Sequence, residues 1–344
     1  FRSLNASWTL YNGNKRLKTI QQEKLNNQMA ELDVATSETN IQESIAQVYI
    51  QILYAAESVK VNENTLQVSI AQRDRGQELL NAGSIAKSDL AQLEAQVSTD
   101  RYQLVTAQAT LEDYKLQLKQ LLELDGENEM NIYLPALSDE NVLAPLPTKR
   151  DVYISALSLR PEIEASKLNV EASELGINIA KSSYFPTISL SAGIGTNHTS
   201  GSDFTFGEQV KNGWNNSIGL SVSVPIFNNR QTKSAVQKAK LQYETSMLSL
   251  LDEQKALYKT IESLWLDANS AQQRYAAANE KLKSTQISYE LISEQFNLGM
   301  KNTVELLTEK NNLLQAQQEQ LQAKYMAILN TQLLKFYQGD QLAL

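Results

Sequence analysis

The chain has 344 residues, 42% of them hydrophobic, with thirteen Gly, six Pro, no Cys and a single His. Thirty-one Lys and Arg stand against thirty-nine Asp and Glu, a formal charge of −8, so there is no basic field to hold a phosphate backbone and no nucleic-acid partner is expected. Disulfides, thiolate metal sites and histidine clusters are excluded, His198 being alone, and no apolar run approaches the roughly 18 to 20 residues of a membrane-spanning helix.

Residues 3–11 open the chain with a period of two, placing Leu4, Ala6, Trp8 and Leu10 on one face and Asn5, Ser7 and Thr9 on the other. Asn12-Gly13-Asn14 then leads into a run to Leu80 that lacks Pro, has Gly76 as its only Gly, and is rich in Gln, Glu, Lys, Ala and Leu, the residues that lose least on entering a helix. At ~1.5 Å per residue this helix reaches on the order of 100 Å. Within it Ile41, Ile45, Val48, Ile52, Ala55, Val59, Asn62 and Leu66 step by four and three, which is a coiled-coil seam. Asn81-Ala82-Gly83 ends the run where a left-handed residue is wanted. Asp89 follows near the start of a returning helix, where a carboxylate suits the dipole. The returning helix keeps the seam through Leu90, Leu93, Val97, Leu104, Ala107, Leu111, Tyr114, Leu118 and Leu121, with Asp100 as its one charged intruder.

Residues 125–148 contain Pro135, Pro145 and Pro147 and read as an extended connector. Pro161 opens a helix through Ile163, Leu168 and Ile177. Residues 187–195 alternate Ile188, Leu190, Ala192 and Ile194 with Ser189, Ser191, Gly193 and Gly195. Residues 217–226 alternate Ile218, Leu220, Val222, Val224 and Ile226 with Gly219, Ser221, Ser223 and Pro225. The stretch between, 197–213, is Gly, Ser and Asn rich and reads as an exposed loop. Strands of about nine or ten residues have the length that crosses a bilayer when tilted. Tyr11, Tyr184, Phe185, Trp214 and Phe227 lie at their ends, where an interfacial aromatic girdle would put them. The other reading is an ordinary antiparallel sheet covering a soluble core; the small polar second face favours a pore.

The chain then repeats itself at an offset of 216 positions (299 − 83). Leu10-Tyr11-Asn12 matches Ile226-Phe227-Asn228, the tip Asn81-Ala82-Gly83 matches Asn297-Leu298-Gly299, and the seam returns as Leu257, Ile261, Leu264, Ala268, Ala271, Tyr275, Ala278 and Leu282. Glu305 takes the place of Asp89. Such a register means two copies of one strand, helix, tip and helix unit: a first repeat over residues 1–124, the connector over 125–148 and a second repeat over 149–344. An enzyme is not expected, since there is no Gly-rich phosphate loop, no metal-spaced His or Cys and no nucleophile context. Catalytic residues, cofactors and metals are therefore expected to be none. A soluble coiled-coil scaffold accounts for the heptads and tips but leaves the strands unexplained.

Arg160-Pro161-Glu162-Ile163, followed by a helix and Tyr184-Phe185-Pro186-Thr187-Ile188-Ser189-Leu190, resembles the repeated signature of the TolC-type outer membrane efflux proteins. Val224-Pro225-Ile226-Phe227-Asn228-Asn229 resembles that family's strand-to-helix junction, and the stretch from Asn297-Leu298-Gly299 to Glu305-Leu306-Leu307 resembles its periplasmic tip. The order of these motifs and their spread over nearly the whole chain make the combination specific.

The resemblance implies a mainly α fold, in which long antiparallel coiled-coil hairpins form a periplasmic tunnel. They join strands of a transmembrane β-barrel shared by a homotrimer, four strands from each protomer. It implies a channel in the outer membrane, surrounded by outer-membrane lipid, serving as the exit duct of a tripartite efflux or type I secretion system. The channel would be gated at its periplasmic tips, docked to a periplasmic membrane fusion (adaptor) protein and coupled through it to an inner-membrane pump. Onto the tips it carries Gly83 and Gly299 with their neighbours Ala82, Ser84, Leu298 and Met300, the acidic Asp89 and Glu305, and Lys301 where a basic gate residue occurs. Thr308 departs from the Asp some members have, which speaks against an aspartate ring. A solvated helix start is the competing reading of Lys301, Glu305 and Glu309. First-copy counterparts of the helix from Pro161 and the strand from Thr187 would fall before residue 1, so a helix and a strand are expected upstream of Phe1.

Overall fold

The computed structural model describes residues 2–124, 132–133, 142–201 and 203–342. Strand β1 (Arg2–Asn12) leads into helix α1 (Lys15–Asn81), which returns as α2 (Lys87–Leu121). Helices α3 (Lys149–Leu159) and α4 (Pro161–Lys181) follow, then a 3-10 turn (Ser182–Tyr184), strand β2 (Thr187–Thr196), the short helix α5 (Phe206–Asn212) and strand β3 (Asn215–Ser223). Helices α6 (Gln231–Asn297) and α7 (Thr303–Gln338) complete the order. Both α1 and α6 have 67 residues, and their first and last residues stand at the offset read from the sequence. No helix among the described residues is long and apolar enough to cross a membrane. Most of the connector, residues 125–131 and 134–141 with Pro135, lies outside the described residues; 144–148 carry no regular structure.

The chain forms two compact units, Phe1–Thr36 with Pro161–Lys255 and Ser37–Arg160 with Ala256–Leu344. The first holds an antiparallel sheet in the order β1-β2-β3. Its register sets Leu4 opposite Ile194, Trp8 opposite Leu190, Leu190 opposite Leu220 and Ile188 opposite Val222, so one face is apolar. Asn5, Ser7, Ser191, Gly193, Ser217, Gly219 and Ser221 share the other. Two details depart from the period-two reading. A bulge between Thr9 and Tyr11 takes Leu10 out of the paired register and brings Tyr11 opposite Ile188, so the alternation changes phase at the end of β1. The third strand runs over 215–223, not 217–226. Pro225 has no N–H to give the ladder, and Val224 and Ile226 fall outside it with Pro225.

Each strand passes into its long helix through two consecutive left-handed residues, Gly13 and Asn14 (φ 67° and 63°) in one copy and Asn229 and Arg230 (φ 51° and 62°) in the other. At Gly13 a Cβ would lie 2.7 Å from the Ser182 carbonyl oxygen, so this position also needs the missing side chain. Across the helices of this unit, Gln22 Nε2 donates to the Ala172 carbonyl at 2.8 Å and the Ser173 and Ser246 hydroxyls meet at 2.8 Å.

The second unit has its core along the seams. All eight second-copy positions from Leu257 to Leu282 are buried or half-buried; in the first copy Ile52, Ala55, Asn62 and Leu66 are buried while Ile41 is exposed. Tyr275 and Ile261 are fully enclosed. Ile50, Leu53, Val142, Tyr275, Tyr325 and Leu333 belong to one apolar cluster. The connector's second end is tied there by side chains: Trp265 Nε1 donates to the Pro147 carbonyl at 3.0 Å, and Gln272 Nε2 to those of Val142 and Ala144 at 3.0 and 2.8 Å. These bonds give the connector's carbonyls side-chain partners.

Candidate functional site

Both hairpin tips lie in the second unit, and they are built alike. At the end of α1, Gly83 N–H donates to Leu80 and Ser84 N–H to Leu79, 2.9 and 2.8 Å. At the end of α6, Gly299 N–H donates to Phe296 and Met300 N–H to Gln295, again 2.9 and 2.8 Å. Each is a Schellman ending, and each glycine sits at φ 75°, in the left-handed region. Nothing lies within 4 Å of a Cβ built on either glycine, so conformation alone demands glycine there.

The returning helices are capped to different degrees. Asn302 Oδ1 accepts from Glu305 N–H at 2.9 Å while Glu305 Oε2 accepts from Asn302 N–H at 3.2 Å, a complete capping box. In the first copy Ala86 has no side-chain acceptor, and only the reverse bond remains, from Ala86 N–H to Asp89 Oδ2 at 3.0 Å. Lys301 Nζ pairs with Glu305 Oε1 at 2.6 Å. The Lys301 hydrogen bond first, and the Asn302 N–H second, hold the Glu305 carboxyl below its ordinary range. Glu309 is engaged elsewhere, accepting from Ser288 Oγ at 3.1 Å.

Behind the tips the two hairpins share one core. Leu79 and Leu93 of the first meet Phe296 and Leu306 of the second. Ala82, Gly83, Ser84, Leu298, Gly299 and Met300 remain exposed beyond it, Leu298 at 75% and Met300 at 71%. The structure therefore brings the tip residues named from sequence to one end of the second unit. Each acid works first within its own helix start.

What the sequence reading missed lies just behind that core. Asp100, the charged intruder in the seam, is buried, and Lys310 of α7 and Ser69 of α1 both hydrogen-bond its Oδ2. Gln96 Nε2 donates to Oδ1 at 2.9 Å. Lys310 carries no signal of its own in sequence; a charge at a seam position of α2 was the available clue.

The sheet is the second candidate region. Its apolar face stands bare, with Leu4, Trp8, Ile218, Leu220 and Val222 all more than half exposed. An apolar face of that extent in water would be an aggregation hazard and marks a contact with lipid or protein. Tyr11, Tyr184, Phe185 and Phe227 gather at the sheet end from which α1 and α6 start, while Trp214 stands at the opposite end. The loop beyond that end is not plain coil: Thr205 and Glu208 cap helix α5, and exposed Phe204 and Phe206 flank its start.

The family model described as Outer membrane efflux protein matches residues 152–339, more than half of the chain. The chain belongs to the outer membrane efflux protein family. Among curated relatives of this family, it is 24% identical over 283 residues to the outer membrane efflux protein BepC of Brucella suis, covering 82% of this chain and 59% of BepC. It is 23% identical over 338 residues to the outer membrane protein TolC of Escherichia coli, covering 95% of this chain and 67% of TolC. The chain thus spans about three fifths to two thirds of the length of these relatives. Among solved structures the CusC channel superposes with a TM-score of 0.83 at 19% identity, over 98% of this chain and 77% of CusC. The fold of this efflux family member is the hairpin-and-strand architecture of that channel.

Proposed function

We propose that the protein carrying this chain is a homotrimeric channel of the outer membrane, the exit duct of a tripartite efflux or type I secretion system. The observation that carries this reading is the sheet, with one face of exposed aliphatic and aromatic residues and an opposite face of Ser, Gly and Asn. A barrel wall needs that division, lipid outside and water inside, and a barrel is one of the two backbone solutions that span a bilayer. The three strands among the described residues are too few to close one, so wall from other copies of the protein has to complete it.

The helical hairpins extend the duct into the periplasm, and their tips meet a periplasmic adaptor that links the duct to an inner-membrane pump. Leu298 and Met300, apolar and bare at the second tip, supply the adaptor contact together with Ala82 and Ser84. Lys301, Glu305 and Asp89 set the tip conformation. Family membership supports this role, as do the outer-membrane and efflux names of the relatives.

The test is the state of the full-length protein in cell envelopes. Extraction from outer membranes only with detergent, followed by cross-linking to a trimer, is the expected result. A water-soluble monomer recovered without detergent would contradict the reading.

A further inference from the structure

Residues 197–201 and 203–214 lie between β2 and β3, at the sheet end farthest from α1 and α6, and their side chains fold them into a fixed shape. One glutamine closes both arms. Gln209 Oε1 accepts from the Thr199 N–H at 2.9 Å and meets His198 Nδ1 at 3.1 Å, while Gln209 Nε2 donates to the Phe204 carbonyl at 2.7 Å. The Phe206 ring stands edge-on to His198, their centres 5.1 Å apart. At the base, a Cβ on Gly213 would lie 2.8 Å from the Gln209 carbonyl oxygen and 3.3 Å from the backbone of Asn197, so the two ends of the segment meet.

Thr196 sets the side to which the segment leans. The alternation of β2 puts its side chain on the face of Leu190 and Ile194, the apolar face. From there Thr196 Oγ1 donates to the Val210 carbonyl of α5 at 3.0 Å. Helix α5 is therefore tied to the apolar side of the sheet end, away from the face of Ser191, Gly193 and Ser217. A lid over the polar face would need the opposite attachment. Trp214, one residue before β3, is in phase with Ile218. Phe204, Phe206 and Trp214 are 60%, 58% and 57% exposed, so three bare aromatic side chains stand in or beside α5, just past the end of the bare apolar face.

We propose that residues 203–214 form an interfacial anchor, which seats Phe204, Phe206 and Trp214 in outer-leaflet lipid beside the barrel and leaves the pore mouth uncovered. This rests on the channel reading above. Amphipathic helices that carry Phe or Trp lie in the plane of a bilayer surface, with the apolar side chains about 5 to 10 Å into the boundary between headgroups and acyl chains. The occupant is lipid because the segment continues the face that meets lipid. Its charges nearly balance, Lys211 against Asp203 and Glu208, so aromatic burial and not attraction to a charged headgroup holds it there.

The test is spin-label accessibility of the full-length protein in phosphatidylcholine nanodiscs, with a nitroxide on single cysteines introduced into a chain that has none. Oxygen concentrates among acyl chains and a nickel chelate stays in water, so the ratio of their collision rates reads the surroundings of each label. Ile218→Cys gives the lipid reference and Ser217→Cys the aqueous one. Labels at Phe204→Cys and Phe206→Cys are expected to show an oxygen-to-nickel ratio at least about threefold above that of Ser217→Cys. Gly207→Cys, where an added Cβ meets nothing within 4 Å, keeps both phenylalanines and is expected to show the same rise, which serves if their replacement disorders the segment. Ratios at the Ser217→Cys level, or labels shielded from both reagents by a second copy or by the pore mouth, would overturn the anchor while leaving the channel intact. An Ile218→Cys label reached by nickel and not by oxygen would overturn the channel reading and the anchor with it.

Discussion

The Arg160 guanidinium lies 3.8 Å from the centre of the Tyr337 ring while one of its nitrogens meets Glu43 Oε1 at 2.7 Å. One side chain therefore ties the end of α7 to α1 within the second unit, at a position where both Arg160 and Tyr337 are buried. Arg160 also caps α3, its N–H donating to the Ala156 carbonyl at 2.9 Å. The Arg-Pro stretch that carries the family resemblance is thus a packing device: the guanidinium stacks and pairs at once, which an ammonium does not do.

Arg160→Ala is expected to cost about 3 kcal/mol, the order found when one partner of a buried pair is removed, and Arg160→Lys to recover only a small part. Denaturant unfolding of the full-length protein checks both. Equal stability of Arg160→Lys and wild type would show that charge alone matters there.

The glycines separate conformation from space. Gly83→Ala and Gly299→Ala each cost about 1 to 2 kcal/mol of local stability through the left-handed backbone, with no clash to relieve. Asn at the same positions costs less. Gly76→Ala acts differently: its Cβ would come 2.4 Å from Leu93 Cδ1 in the tip core, and overpacking of that kind costs about 1 to 3 kcal/mol. Hydrogen exchange at the tips reads the first pair, and global unfolding reads the third.

Acid loosens the second tip. The Glu305 carboxyl is held below its ordinary value of 4.5 by Lys301 and the Asn302 N–H. A carboxyl depressed on folding contributes stability above its unfolded value, and that contribution disappears as pH falls through the folded one. The protection factors of the Asn302 and Glu305 amides, the observed exchange rates taken against the intrinsic rate at each pH, are therefore expected to fall below about pH 4.5 and to be flat from there to neutrality. In Glu305→Gln the acid-dependent step should vanish.

The two sheet faces answer differently to charge. Ile218→Arg, at the middle of β3 on the apolar face, costs about 2 to 4 kcal/mol if that face meets lipid, and it should abolish recovery in the outer-membrane fraction. Ser217→Arg, on the polar face, should insert normally and change ion selectivity instead. Membrane fractionation followed by conductance measurements distinguishes them.

Much of this architecture was legible because periodicity is a direct record of packing. The offset located both 67-residue helices, and the two tips were marked by glycines whose φ the sequence could anticipate. The bulge at Leu10 was not legible, since an extra residue leaves no trace in an otherwise regular alternation. The early end of β3 had a signal in Pro225, which cannot donate to a ladder, but the alternation carried the expected strand past it to residue 226. Helix α5 was likewise signalled by Thr205-Phe206-Gly207-Glu208, a capping-box spacing obscured by the surrounding Gly and Ser. The pairing of Asp100 with Lys310 could not be read, because the two stand 210 positions apart on helices whose facing is set only in three dimensions.

The central claim is that the Ser and Gly face of the sheet lines a water-filled pore while the aliphatic face meets lipid. The chain has no cysteine, so single cysteines at Ser191 and at Leu220 can each be challenged with a charged, membrane-impermeant thiol reagent during planar-bilayer recording. The account predicts that Ser191→Cys is modified and its current falls stepwise, while Leu220→Cys is untouched. Block at Leu220→Cys with none at Ser191→Cys, or no current from the wild-type protein, would contradict it.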